Sequence, residues 1–408
     1  MNRFAPFEWI AAMRFMREGM VQTLLIVLGV SLGVAVIVFM SAALAGMEAN
    51  IIRRTLNYMA PIVVIPPYQV ARPLRGGNAQ ETAVLVQPRS QQLRSIDQWQ
   101  KVRAQIERLP GVIAATPVVS GPGFAMRGDA NKAVTITGIE PETYLRVIAL
   151  AEKIVAGKLN LGTADIIIGT ELAKDLGANV GDKLRLSTAS GASETLSVIA
   201  IFDFGNKGVN ERNVYIGMRV AQNLLNLVGG VSSIEIKVQD PYEAETIAQT
   251  IQADTGQEAD SWIKTNAQFF TAMAAQILTN RLIRFFVGLT AALGIASVLV
   301  VSVVQKSKEI GILRAMGTSR GQVLRLFLLQ GAVMGLVGSL LGSALSYVFL
   351  LAFRSIARNP DGTPMFIIEI EPSLLAMTAV GATLVGILAA MAPARRAAQL
   401  DPAVAIRG

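Results

Sequence analysis

Between Val21 and Gly46 the chain runs for 26 residues without a single charge, VQTLLIVLGVSLGVAVIVFMSAALAG. A helix of that length spans the roughly 30 Å hydrocarbon core of a bilayer with some tilt. Three further apolar spans follow at 285–305, 323–353 and 373–393, the second of these interrupted only by Arg325 near its start. A cleaved secretory leader would carry an apolar stretch of about 7 to 15 residues. Here the stretch is longer, and 20 residues containing Trp9, Glu8 and Glu18 precede it. The expectation is a membrane α-helical protein with four transmembrane helices and both chain ends on one side.

The spans are unequally spaced, and residues 47–284 form one large polar insertion between the first and second. That length is enough for a folded extramembrane unit. Its start reads as a strand (62–65), a Pro/Gly/Arg-rich loop within 66–90, an amphipathic helix (95–109) and a strand after Pro110-Gly111. Its end repeats that order, with alternating apolar residues over 231–238, an Asp240-Pro241 cap and a helix over 242–253. Strands are predicted at 133–139, 165–169, 183–186, 195–202 and 213–216. The α+β domain is therefore expected to have an outer subdomain (47–120 and 231–262) and an inserted β-rich subdomain (121–230). A stalk helix should lead into the second span, either as one long helix or as two broken near 277–280.

Charge placement assigns the sides. The stretches 1–20, 306–325 and 394–408 together carry eleven Lys and Arg against four acids, whereas the 354–372 loop carries two cations against three acids. Short loops rich in Lys and Arg stay in the cytosol, and long domains are translocated largely regardless of charge. The termini and the 306–322 segment are thus expected in the cytosol, with residues 47–284 and 354–372 outside. Residues 1–20 interleave Phe4, Phe7, Trp9, Met13 and Phe15 with charges, as an interfacial amphipathic helix or a solvated start to the first span would. Of the formal net charge of +8, +7 lies in the three cytosolic stretches, which removes the reason to expect nucleic acid.

There are no Cys and no His, which excludes disulfides, Cys/His zinc sites and imidazole-based catalysis. No GxxxxGK[ST] phosphate loop occurs; Ala156-Gly157-Lys158-Leu159 lacks its first Gly and its hydroxyl residue. Asp165, Asp182, Asp203 and Glu211 sit at turns and strand ends and read as solvated carboxylates. No catalytic, cofactor or metal site is predicted. Gly29 and Gly33 in the first span and Gly331, Gly335, Gly338 and Gly342 in the third form small-residue faces, for packing within the chain or for a dimer seam.

Residues 303–331, VVQKSKEIGILRAMGTSRGQVLRLFLLQG, describe a short helix leaving the membrane, a break and a re-entry. Gly317 is suited to end the first helix in a left-handed conformation while Thr318 or Ser319 caps the next. On the motif KSKEIGILRAMGTSRGQVLRLFLLQG, the tail APARRAAQLDPAVAIRG and the opening LLIVLGVSLGVAVIVFMSAALAGME, the chain resembles the permease subunits of the MacB, FtsX and lipoprotein-releasing (LolC/LolE-like) ABC transporters. The resemblance covers the whole chain in order, and FLLQG (327–331) with GTELAKDLGANVGDKLRL (169–186) leans toward the lipoprotein-releasing branch.

That resemblance implies a non-catalytic permease of the mechanotransmission type, in the bacterial inner membrane. A partner ATPase dimer would bind ATP and Mg. A second permease copy or a paralogue would complete the membrane dimer, and a periplasmic acceptor or adaptor would be a further partner beside membrane lipid. By position in the motif, Lys306, Lys308, Glu309, Ile312, Leu313, Arg314 and Gly317 would contact the ATPase, with Arg395 and Arg396 supporting. The function it implies is extraction or export of a lipidated or amphipathic substrate. An FtsX-like subunit that activates a periplasmic hydrolase and a MacB/DevC-like exporter of peptide, drug or glycolipid are the alternatives.

Overall fold

In the computed structural model, which describes residues 7–67, 94–96, 98–357 and 371–401, the chain divides into two units, Ile52–Thr271 and the two flanking segments Met1–Ile51 and Ala272–Gly408. The start of the expected 1–20 helix, most of the 66–90 loop, the 358–370 part of the loop before the fourth span, and the tail beyond Asp401 lie outside the described residues. In chain order come α1 (Phe7–Glu18), α2 (Met20–Leu56), β1 (Ile62–Ile65), α3 (Trp99–Ile106), β2 (Val112–Arg127), β3 (Ala130–Ile139), α4 (Pro141–Val147), β4 (Ile154–Gly157) and β5 (Asp165–Gly169). Next are α5 (Thr170–Leu176), β6 (Lys183–Ser187), β7 (Ser193–Phe202), α6 (Lys207–Arg212), β8 (Asn213–Gly217), α7 (Met218–Leu224), β9 (Ser233–Val238), α8 (Ala244–Thr255) and β10 (Glu258–Ser261). The chain then stays helical: α9 (Trp262–Thr265), α10 (Ala267–Gln305), α11 (Ser307–Ala315), α12 (Arg320–Ile356) and α13 (Pro372–Gln399).

The first unit is built on one ten-stranded mixed sheet in the order β10-β1-β9-β2-β3-β8-β5-β7-β4, with β6 pairing both β2 and β7. The pairs β3–β8 and β5–β7 are parallel and the others antiparallel. This corrects the expected boundary near residue 120. The β-rich segment 121–230 is not a separate module, because the 16-residue β2 runs through that point. Its Val112–Val118 half pairs β9, and its Val118–Arg127 half pairs β3.

Side-chain alternation along the strands fills a core on each face of this sheet. Ile166, Ile168, Val214 and Ile216 enter one core, and the intervening Ile167 and Tyr215 enter the other. On β7, Leu196 and Val198 serve the first core while Ala200 and Phe202 serve the second. Strict period two would keep these four together. A bulge changes the register between the Ile166–Val198 and Ile167–Ala200 pairs, so the strand switches faces there. Trp262, 2% exposed, is held by an Nε1 donation to the Pro241 carbonyl at 2.7 Å and meets Phe270 edge-on at 5.1 Å.

Glu235 points from β9 into the second core, opposite Val63 and Thr116 and beside Tyr144 and Tyr215. Burial pushes its carboxyl up to about 7 and the Tyr215 hydroxyl up to about 12. Among the described residues Glu235 has no ion-pair partner.

In the second unit, α2, α10, α12 and α13 are each long and apolar enough to cross a membrane. α10 runs unbroken through 277–280, which settles the stalk as one helix of 39 residues there. It begins at Ala267, and Asn266 separates it from α9. Both α2 and α13 extend past the expected spans, so residues 394–399, expected as tail, are helical.

Candidate functional site

The segment between α10 and α12 is shaped by local sequence. At Lys306 the backbone departs from helix (φ −98°, ψ 9°), which ends α10 and caps α11. Gly317 takes φ +103°, a conformation that costs a Cβ-bearing residue dearly, and so terminates α11. Ser319 then caps α12 in a reciprocal capping box with Gln322. The Gly-cap and Ser-cap expected here are both present.

What local sequence leaves open is which side of α11 faces out. Ile310, 1% exposed, and the buried Gly311 face the core of this unit; the core there includes Ala12, Phe15, Phe327, Ala394 and Ala397. Leu313 packs partly against the same core. Arg314 donates to the carbonyl of Leu400 at the end of α13, and its Nε is buried. Lys306 is also turned inward. Its Nζ pairs with Glu18 of α1 and with Glu309 at 2.9 Å, and lies 5.7 Å from the centre of the Phe15 ring. Hydrogen bonding to Glu18 foremost, then to Glu309, raises the Lys306 ammonium pKa, and the bonds from Lys306 and then Arg14 lower that of Glu18.

The outward face is made by Lys308, Glu309, Ile312, Ala315 and Met316, followed by Gly317. Ile312 is 45% exposed and Met316 79%. The seven residues singled out from the motif therefore divide: Lys308, Glu309, Ile312 and Gly317 lie outward, whereas Lys306, Leu313 and Arg314 are engaged within the chain. Arg395 and Arg396 are exposed on α13. Ala315 and Met316 were not among the sequence candidates, although at i+3 and i+4 from Ile312 they continue the helix face from Lys308 through Ile312 that would have found them.

Five of the six glycines pack helices of this unit together. A Cβ on Gly331 or Gly335 would run into the α13 backbone at Gly386 and Ala382, one on Gly338 or Gly342 into Val30, Ser31 and Val34 of α2, and one on Gly33 into Val287 of α10. Around Gly29 there is open space. The turn carboxylates are locally satisfied: Asp182 pairs Arg127 at 2.8 Å, Asp203 accepts from Asn210 at 2.6 Å, and Asp165 accepts from the Gly162 N–H at 2.8 Å. Among the described residues no cluster of carboxylates could hold a metal ion.

Comparison with known proteins agrees with this layout. The MacB-like periplasmic core domain family matches residues 23–254, and the FtsX-like permease C-terminal family matches 281–402. The lipoprotein-releasing system transmembrane protein LolC of Neisseria meningitidis is 27% identical over 340 residues, covering 76% of this chain and 81% of that protein. The lipoprotein-releasing system transmembrane protein LolE of Haemophilus influenzae is 23% identical over 408 residues, covering 92% of each. The macrolide export ATP-binding/permease protein MacB of Acinetobacter baylyi is 23% identical over 315 residues, covering 73% of this chain and 46% of that protein. With a MacB-like core domain matching more than half its length and an FtsX-like domain after it, the chain belongs to the LolC/LolE/MacB/FtsX family of ABC transporter permeases.

Proposed function

We propose that this permease lies in a bacterial inner membrane with α11 in the cytosol, and that α11 docks in a groove of a separate ATPase subunit. The observation that carries the reading is the two-faced character of α11: Ile310 is buried behind it while Ile312 and Met316 stand exposed in front. A monomer gains nothing from exposing such residues at a polar end of a helical unit, whereas a partner's groove would bury them. The eleven Lys and Arg of the flanking stretches support the cytosolic placement.

In this reading ATP and Mg belong to the partner, and the permease works beside a second copy or a paralogue. α10, with 39 residues and so about 58 Å long, exceeds the bilayer thickness and leads directly from α11 to the MacB-like domain. Closure of the ATPases would be carried along it as mechanical displacement. The relatives named for lipoprotein release favour a lipid-anchored protein as the substrate taken from the outer leaflet, with a periplasmic acceptor receiving it.

The test replaces the exposed pair. Ile312→Glu with Met316→Glu should reduce co-purification with the partner ABC ATPase at least about tenfold, the loss expected for two apolar anchors. Thermal stability of the permease in detergent should stay unchanged. Undiminished association in that double variant sinks the docking face.

A further inference from the structure

We propose that Glu18 is a positioning residue for the coupling helix: through Lys306 it pins the bend between α10 and α11 to α1. The backbone leaves helical geometry at Lys306, but no residue type there forces it to. The bend contains neither Pro nor Gly, and hydrogen bonds continue across it, from Lys306 N–H to the Ser302 carbonyl and from Ile310 N–H to the Lys306 carbonyl, both at 2.9 Å. A kink without Pro, Gly or a break in the hydrogen-bond ladder lacks the usual local causes, which leaves the side-chain contacts made at the bend to orient it. Here those contacts converge on Lys306, the single residue between α10 and α11.

The other end of the contact is fixed. Ala12, Phe15 and Met16 of α1 are buried in the core that also takes Phe327 and Met334 of α12, and the Gln330 amide of α12 reaches the Ala12 carbonyl at 3.4 Å. Arg14 braces the Glu18 carboxylate from the preceding turn at 3.0 Å. With α11 joined to α12 through the Gly317 turn, α1, α11 and α12 form a closed triangle whose third corner is Glu18–Lys306–Glu309. Half-exposed ion pairs contribute little to stability, and screening by salt weakens them further. The role of this one is to select an orientation. α1 thereby becomes part of the coupling apparatus and not only a helix lying beside the first span.

The inference rests on the docking reading only in calling α11 the coupling helix, so its test needs no ATPase. The chain has no Cys, and cysteines placed at the exposed Ile10 and Met316 can carry spin labels in the full chain reconstituted in lipid. One narrow distance distribution is expected. Glu18→Gln and Lys306→Met should each widen it about twofold or more, the combination should widen it no further, and Lys306→Arg should keep it narrow. Melting temperatures should be alike throughout. In the labelled chain with Glu18 and Lys306 intact, raising salt to about 1 M, where the screening length is about 3 Å, should also widen the distribution. An unchanged width in Glu18→Gln overturns the proposal, as does a width independent of salt should that variant not fold. Loss of ATPase association by the unaltered chain would remove the docking reading and leave the distance result standing.

Discussion

The two units solve the burial problem in opposite ways. In the sheet unit the large apolar side chains go inward: Ile166, Ile167, Leu184, Phe202 and Ile216 have no exposure at all. In the helical unit the inside mixes large side chains such as Phe327 and Met334 with small residues at the closest helix contacts, such as Gly331, Gly335, Ala390 and Ala394, while Leu24, Leu28, Leu32, Phe285, Leu340 and Met377 face out. Water drives the first arrangement, because each buried apolar area removes surface from it. Lipid offers no such drive, so helices there associate by close backbone approach through small residues. The same amino acid therefore has a different worth in the two halves of the chain.

Matched substitutions put that contrast at risk. Leu184→Ala, in the sheet unit, should cost about 2–5 kcal/mol by cavity formation. Leu28→Ala, on a helix face 51% exposed, should change stability by less than about 0.5 kcal/mol. Thermal unfolding of the full chain in detergent reads both, and equal losses would erase the distinction. Within the helical unit, Gly331→Leu should cost about 1–3 kcal/mol or more by overpacking against α13, and Gly29→Leu, with open space around it, close to nothing.

A smaller effect separates the units by pH. Burial holds the Glu235 carboxyl near 7 when folded, against about 4.5, the ordinary value of a glutamate, when unfolded. The folded state thus holds the proton more tightly, so this group is harmless below about pH 4.5 and progressively destabilising as pH rises through 7. Glu235→Gln should raise protection of β9 amides at pH 8 by about 1–2 kcal/mol, a figure reduced from the full shift because the side chain is only half-buried. The gain should vanish at pH 4.5. Hydrogen exchange of the full chain at the two values checks this, and a gain at both would show that packing and not titration is responsible.

Much of the helical unit was legible in the sequence because its signals are local. Uncharged length gave the four helices, Gly317 and Ser319 marked their turn, and small-residue spacing marked the packing faces. In the sheet unit the strands were legible by alternation but their neighbours were not. Nothing near residue 120 states that β2 continues through to Arg127, or that β1 lies between β9 and β10. Strand pairing joins residues far apart, such as Val118 and Ser233, and a single extra residue at the β7 bulge reverses which face the strand serves. Short α4–α7 were missed for a related reason: helices of six or seven residues gain too little from their own hydrogen bonds and form because the sheet covers one side of them.

The candidate site shows the same division. Sequence determined that a short charged helix ends in a Gly turn between two apolar spans, since capping and hydrophobic length act within a few residues. Which of its residues face a partner was decided by tertiary contacts. Lys306 is turned away by Glu18, 288 positions distant, and Arg314 by the carbonyl of Leu400, 86 positions distant. Side-chain direction on a helix becomes meaningful only when something packs against one face, and that neighbour comes from the fold as a whole.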